Sequence, residues 1–315
     1  MGLDESVGTI SRVKPPHATQ GLSPVQVWWM AARPKTLSAA AAPVLVGSAM
    51  AFAEGAFHVL AALAALLGAF LLQVGTNLAN DYFDFKKGAD TEERVGPTRV
   101  TAAGLIAPER VRGAMVLAFL LAAIVGIYLV ARGGWPLVLV GLLSIASGIA
   151  YTGGPFPLGY KGLGDVFVFV FFGLVAVAGT HYVQTLHFSW WSLYAGVPVG
   201  LLSTAILVVN NVRDVETDAK SGKGTLAVRL GEGFARREYA LLVIVAYLAL
   251  VPLALGAAAP GALLALLSLP MVPPLLRAMR DERGAALNPR LAETARLLAV
   301  FSALMALGLA LGGGS

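Results

Sequence analysis

Long apolar runs separated by short polar breaks divide this chain into nine stretches, at about 37–57, 59–82, 111–131, 134–151, 164–184, 191–211, 238–257, 258–277 and 293–312. A helix needs roughly 20 apolar residues to cross about 30 Å of hydrocarbon, so the pattern predicts an all-α bundle of nine transmembrane helices. An odd count puts the N-terminal tail and the loops 83–110, 152–163, 212–237 and 278–292 on one face. Every Lys and Arg except Arg132 falls in these segments or on the helix ends beside them. That asymmetry marks the cytoplasmic face, because basic residues are retained there. Eight or ten helices would scatter the same charges over both faces. On the outer face Glu54 is the only acid, and His58, His181 and His187 accompany Tyr182, Trp190 and Trp191. These three histidines read as interfacial side chains rather than as a metal site.

Composition narrows the class. With 57% hydrophobic and 13% charged residues and a mean hydropathy of +0.75, the 315-residue chain carries about half the charge of a soluble domain. The 36 glycines suit helices that approach closely in lipid. The absence of cysteine excludes disulfides and thiolate metal sites. A net charge of +5 is explained by topology and implies no nucleic-acid partner. Residues 1–22 contain no apolar run and read as a solvated cytoplasmic tail, leaving 23–315 as one membrane domain. The opening Met1-Gly2-Leu3-Asp4-Glu5-Ser6 fits a myristoylation pattern, but so loose a motif is read as a chance match.

Chemistry concentrates at two helix ends. The second stretch runs out through Asn77-Leu-Ala-Asn80-Asp81-Tyr-Phe-Asp84-Phe-Lys86-Lys87-Gly-Ala-Asp90, the sixth through Asn210-Asn211-Val-Arg213-Asp214-Val-Glu216-Thr-Asp218. Helical continuation sets Asn77, Asp81 and Asp84 on one face, and likewise Asn211, Asp214 and Asp218. Carboxylates near lipid are costly, on the order of 2.5–3.5 kcal/mol each at a helix centre, and these repel one another. A cation is therefore expected among them. Hard oxygen donors suit Mg²⁺, which shares its coordination with water and substrate phosphates. Asp81, Asp84, Asp90, Asp214 and Asp218 form the expected metal set. Basic residues to balance a diphosphate follow each motif: Lys86, Lys87, Arg94 and Arg99, then Lys220, Lys223 and Arg229, with Lys161 in the loop between stretches four and five.

These two motifs resemble the paired Asp-rich motifs of the UbiA superfamily of intramembrane aromatic prenyltransferases. Arg33-Pro-Lys35-Thr-Leu37, Thr91-Glu-Glu-Arg-Val-Gly-Pro97, the segment from Tyr151 to Gly162, and Gly222-Lys-Gly-Thr-Leu-Ala-Val-Arg-Leu-Gly231 are similar to its branch that prenylates 1,4-dihydroxy-2-naphthoate. The resemblance implies a helical bundle around a cavity that binds a polyprenyl diphosphate and an aromatic acid at the cytoplasmic face of the inner membrane, with Mg²⁺ as cofactor and no protein partner. It also implies loss of the acceptor's carboxyl as CO₂. On that basis Asp81, Asp84, Asp214 and Asp218 are the expected catalytic residues, and Asn77, Asn80, Lys35, Arg99, Lys161, Lys223 and Arg229 the expected binding set. The hydroxybenzoate branch carries its third acid four residues after the second, whereas here position 88 is Gly and the next acid is Asp90.

Other features rank lower. The run Val166-Phe-Val-Phe-Val-Phe-Phe172 is expected mainly to face lipid, with Phe167 and Phe171 on one helix face and Phe169 on another. Arg33 and Lys35 suit either an acceptor carboxylate or simple topology. Asp165 reads as an ion-pair partner of Lys161. Ser221-Gly-Lys-Gly-Thr225 lacks the upstream Gly and the parallel sheet of a phosphate-binding loop. Competing readings are 4-hydroxybenzoate as the acceptor, or a cation-coupled transporter, whose coupling acids belong near the bilayer midplane.

Overall fold

A computed structural model describes residues 21–90, 94–257 and 259–312. Most of the tail, with its myristoylation-like hexapeptide and its two basic residues Arg12 and Lys14, and Thr91-Glu92-Glu93 of the family-like segment Thr91–Pro97 lie outside the described residues. Helices account for the architecture, and among the described residues there is no strand. In chain order they are α1 (Pro24–Ala32), α2 (Leu37–Ala53), α3 (Val59–Lys86), α4 (Pro108–Gly133), α5 (Pro136–Ala150), α6 (Gly164–Thr185), α7 (Trp190–Arg213), the short α8 (Val215–Lys220) and α9 (Leu226–Leu230), α10 (Glu232–Gly256), α11 (Pro260–Asp281) and α12 (Gly284–Gly312).

Among the described residues eight helical rods, counting α1 and α2 as one, are long and apolar enough to cross a membrane. The stretch predicted at 134–151 is shorter than expected. Pro136 starts α5 and the Gly153-Gly154 pair follows it, leaving 15 residues, about 22 Å of helix. The chain nevertheless changes ends across it. Gly133, just before α5, accepts from the Tyr182 hydroxyl at 2.8 Å, and Thr152, just after it, donates to Asn80 at 2.9 Å.

Local sequence explains the joints. Ser23 and Gln26 form a capping box with Pro24 at the first helical position, which builds α1 ahead of the predicted first span. Arg33, in the left-handed region at φ 53° and followed by Pro34, then turns the chain into α2. Arg132, the basic residue that the sequence sets apart from the others, donates to the carbonyls of Val183 (2.7 Å) and Gln184 (3.1 Å) and so caps the end of α6. Within α6 a π-helical segment, Phe169–Val175, lies against α7. There Gly173 meets Gly196 and Gly200 so closely that a Cβ on Gly173 would fall 2.6 Å from the Gly196 carbonyl oxygen.

Two apolar clusters form the interior, one around α7, α10, α11 and α12, the other joining α1, α3 and α4. A cavity of about 520 Å³ lies among α2 to α6. Its walls include Pro43, Leu72, Leu129, Ile145, Phe167 and Phe171, with Gln73, Thr76 and Tyr151 towards the end where α3 carries its acids. The expectation that the Phe run mainly faces lipid is corrected. Phe167, Phe171 and Phe172 line this cavity, while Phe169 packs against Gly200. Phe167 and Phe171 stack at a centroid distance of 5.9 Å.

Candidate active site

α3 stays helical through Lys86, four residues beyond the predicted end of its apolar run, and so carries Asn77, Asp81 and Asp84 to the mouth of the cavity on a continuous rod. Asp81 is buried. Its Oδ2 accepts from the Val100 amide at 3.2 Å and its Oδ1 from the Thr101 amide at 3.1 Å. This carboxylate fastens the 99–101 turn while each oxygen keeps a second lone pair. Asp84, 0% exposed, is the hub. Its Oδ2 accepts from Arg99 and from Lys223, each at 3.0 Å, and its Oδ1 from the Tyr160 hydroxyl at 2.8 Å. Asp90 pairs with Arg94 at 2.9 Å and lies 3.5 Å from Arg99 Nε. Its Oδ2 is buried with no hydrogen-bond partner among the described residues. Burial pushes the Asp90 carboxyl up to about 7, against the pull of Arg94.

The second motif is not one continuous helix. The backbone breaks at Asp214 and resumes as α8, yet the Asp218 amide still donates to the Asp214 carbonyl at 2.8 Å, which preserves the helical spacing. Asp214 is held in a fork by its neighbour Arg213, Nε to Oδ1 at 2.7 Å and Nη2 to Oδ2 at 2.6 Å. Arg213 also donates to Asn210 and to Asn288, and Asn288 donates to the Val95 carbonyl, which ties α7, α12 and the 94–97 loop together. Burial raises Asp218 to about 6, opposed by the nearby Lys223 and reinforced by Asp214 and Asp84. The two acidic helix ends therefore share one electrostatic environment, bridged by Lys223.

Of the expected binding residues, Arg99 and Lys223 contact the acids directly. Asn77 turns its amide to the Ala32 carbonyl (2.9 Å) and Thr36 (3.0 Å), fixing the α1–α2 joint, and Asn80 accepts from Thr152. Lys35 is exposed on the turn after α1 and forms no ion pair among the described residues. Lys161 is exposed and lies 5.5 Å from the Phe156 ring centre. The expected Lys161–Asp165 pair is not formed. Asp165 is buried, and its Oδ1 has no hydrogen-bond partner among the described residues. Arg229 donates to the Gly224 carbonyl at 2.8 Å and braces the 162 and 224 turns. Sequence reasoning missed Tyr160. Its ring lies between Lys87 (4.4 Å) and Lys223 (5.1 Å), and burial beside Asp84 pushes its phenol up. Arg213 was counted only as a topological charge. Its adjacency to Asp214 was the available signal.

The arrangement is an all-oxygen acid cluster neutralised by Arg94, Arg99, Arg213 and Lys223, set over an apolar cavity. The donor chemistry fits Mg²⁺, and the buried, unpartnered Asp90 Oδ2 is an oxygen that a cation would satisfy. The same basic groups suit a phosphate-bearing ligand.

The chain is similar to several known proteins. The 1,4-dihydroxy-2-naphthoate octaprenyltransferase of Haemophilus influenzae is 37% identical over 298 residues, covering 91% of this chain and 97% of that protein. The Mycobacterium tuberculosis protein of the same name is 40% identical over 286 residues, covering 90% and 97%. A UbiA homolog from Archaeoglobus fulgidus, solved with GPP and Mg²⁺, shares the fold at a TM-score of 0.58 and 14% identity, covering 89% of this chain and 99% of that one. The profile of the UbiA prenyltransferase family matches residues 40–291, and the chain is a multi-pass membrane protein belonging to that family.

Proposed function

We propose that this protein transfers a polyprenyl group from an all-trans polyprenyl diphosphate to 1,4-dihydroxy-2-naphthoate, releasing diphosphate and CO₂ and leaving demethylmenaquinone in its reduced, quinol form. The observation that carries the chemistry is the junction of two acidic helix ends, Asp84 and Lys223 in contact at 3.0 Å, over a cavity walled by apolar side chains. The choice of acceptor is supported by relatives of that name, similar along nearly the whole chain.

Asp81, Asp84, Asp90, Asp214 and Asp218 would hold Mg²⁺, which supplies Lewis-acid charge to the departing diphosphate when bound. Arg94, Arg99 and Lys223, already gathered on the acids, would turn to the phosphate oxygens and stabilise the negative charge that develops as the allylic carbon–oxygen bond ionises. The stacked Phe167 and Phe171 offer ring faces to the prenyl chain in a water-poor space. That space protects the allylic cation until the electron-rich naphthoate ring attacks it. Loss of the carboxyl as CO₂ leaves its electron pair on the ring. Residues from about 23 onward would act as one domain in the cytoplasmic membrane, with the acidic end facing the cytoplasm, as the basic-residue asymmetry supports.

The test supplies membranes containing the protein with a polyprenyl diphosphate and either 1,4-dihydroxy-2-naphthoate or 4-hydroxybenzoate. Prenylated naphthoquinol is expected, and it disappears on chelation of Mg²⁺ and in Asp81→Asn or Asp214→Asn protein that still inserts. Product from 4-hydroxybenzoate alone overturns the acceptor, and full transfer without divalent metal overturns the site.

A further inference from the structure

At the opposite end of α3 from Asp81 and Asp84, roughly 33–38 Å away along a helix rising about 1.5 Å per residue, three side chains from the α2–α3 loop, the end of α6 and the α6–α7 loop converge. Glu54 caps the end of α2, and its carboxylate lies between two imidazoles. His181 Nε2 is 3.0 Å from Oε1 and His187 Nε2 is 3.0 Å from Oε2. The histidine rings meet edge to face at 5.4 Å, and one donor atom from each of the three residues lies within 4.8 Å of the others. His181 is fully buried, while His187 is exposed.

The backbone around these groups is pinned. Leu186 adopts the left-handed conformation at φ 62°, an uncommon choice for a branched apolar residue, and so folds His187 back over His181. Thr185 reinforces the turn by donating to the His181 carbonyl at 3.1 Å and accepting from the His187 amide at 3.4 Å. Buried Gln184 donates to Ser48 and accepts from the His58 amide, which locks the α2–α3 loop against the end of α6. Arg132 holds the carbonyls of Val183 and Gln184 from the other side.

We propose that Glu54, His181 and His187 form a binding site for a borderline divalent transition-metal ion such as Zn²⁺, separate from the acidic site. Two imidazoles and a carboxylate are a donor set that such ions favour, unlike the all-oxygen set on the opposite face. Bonds of about 2.0–2.1 Å to tetrahedral Zn²⁺ leave neighbouring donors roughly 3.3 Å apart. Each imidazole nitrogen is already near that distance from one carboxylate oxygen, His181 from Oε1 and His187 from Oε2, so binding through a single oxygen requires a turn of the carboxylate and an approach of the two nitrogens. Glu54 and His187, both exposed, have room to make that adjustment. Three protein donors leave a fourth position open towards the loop surface. The bound ion would cross-link the α2–α3 and α6–α7 loops.

The test titrates ZnCl₂ into chelator-treated, full-length protein carrying no polyhistidine tag, by calorimetry with metal analysis. One equivalent is expected to bind and to raise the melting temperature. His187→Ala, at an exposed loop position whose loss leaves the bundle intact by size-exclusion chromatography, and Glu54→Gln should each weaken binding about tenfold or more. Asp218→Asn should leave it unchanged. Absence of Zn²⁺ binding, or binding lost in Asp218→Asn and kept in His187→Ala, overturns the proposal.

Discussion

At the scale of single residues the site is a set of buried charges whose partners come from distant loops. Tyr160 donates to Asp84 across 76 residues of sequence. Hydrogen bonds to charged groups contribute about 1.5–3 kcal/mol, so Tyr160→Phe is expected to slow transfer about 10–100-fold while thermal unfolding shows a correctly folded protein. Asp90 gives a pH prediction. With its carboxyl at about 7, the group is mostly protonated at pH 6 and mostly ionised at pH 8, and a proton competes with metal for the same oxygen. Half-saturating Mg²⁺ in the transfer assay should therefore rise about tenfold as pH falls from 8 to 6, and Asp90→Asn should flatten that slope. The acids were legible because their helical spacing is written in consecutive residues. Tyr160 was not, because nothing local distinguishes a phenol that reaches an acid from one that faces lipid. Lys35 and Lys161 show the converse. Each has the right charge in the right loop, yet the fold leaves both exposed.

At the scale of elements, apolar runs located the rods but not their ends. Hydropathy stops where water begins, whereas α3 continues to Lys86 and α10 begins at Glu232, both extended by polar turns beyond the apolar stretch. The break at Asp214 and the π-helical segment in α6 depend on packing that hydropathy does not encode. That segment rests on Gly173, Gly196 and Gly200, where the backbones of α6 and α7 touch. Gly200→Val would push a side chain into the Phe169 carbonyl, which a Cβ would approach at 2.8 Å. Overpacking costs about 1–3 kcal/mol, and a fall of several degrees in melting temperature in detergent is expected. Gly113→Ala, on α4 with open space around its Cβ, should instead be neutral or stabilising by up to about 1 kcal/mol.

At the scale of the whole molecule, charge distribution predicts orientation. The chain has no cysteine, so single cysteines can be introduced without background. Ala56→Cys, in the α2–α3 loop, should react with a membrane-impermeant maleimide added outside intact cells. Gly222→Cys, in the loop after α8, should react only after the membrane is opened. The reverse pattern would invert the topology. Among the described residues the acids other than Glu54 lie at one end of the bundle, away from the midplane where a transporter would carry its coupling groups. The sequence pattern announced the bundle and the acidic end but not the depth of the cavity, whose walls come from five helices no two of which reveal their spacing in isolation.

Lys223, resting on Asp84 with Arg99 beside it, has a consequence for how the bundle holds together. A lysine drawn from the loop after α8 onto the tip of α3 is a strut between two distant stretches of chain, and removing one partner of a buried pair is costly. Lys223→Met should therefore loosen that corner of the bundle, seen as a lower melting temperature in detergent.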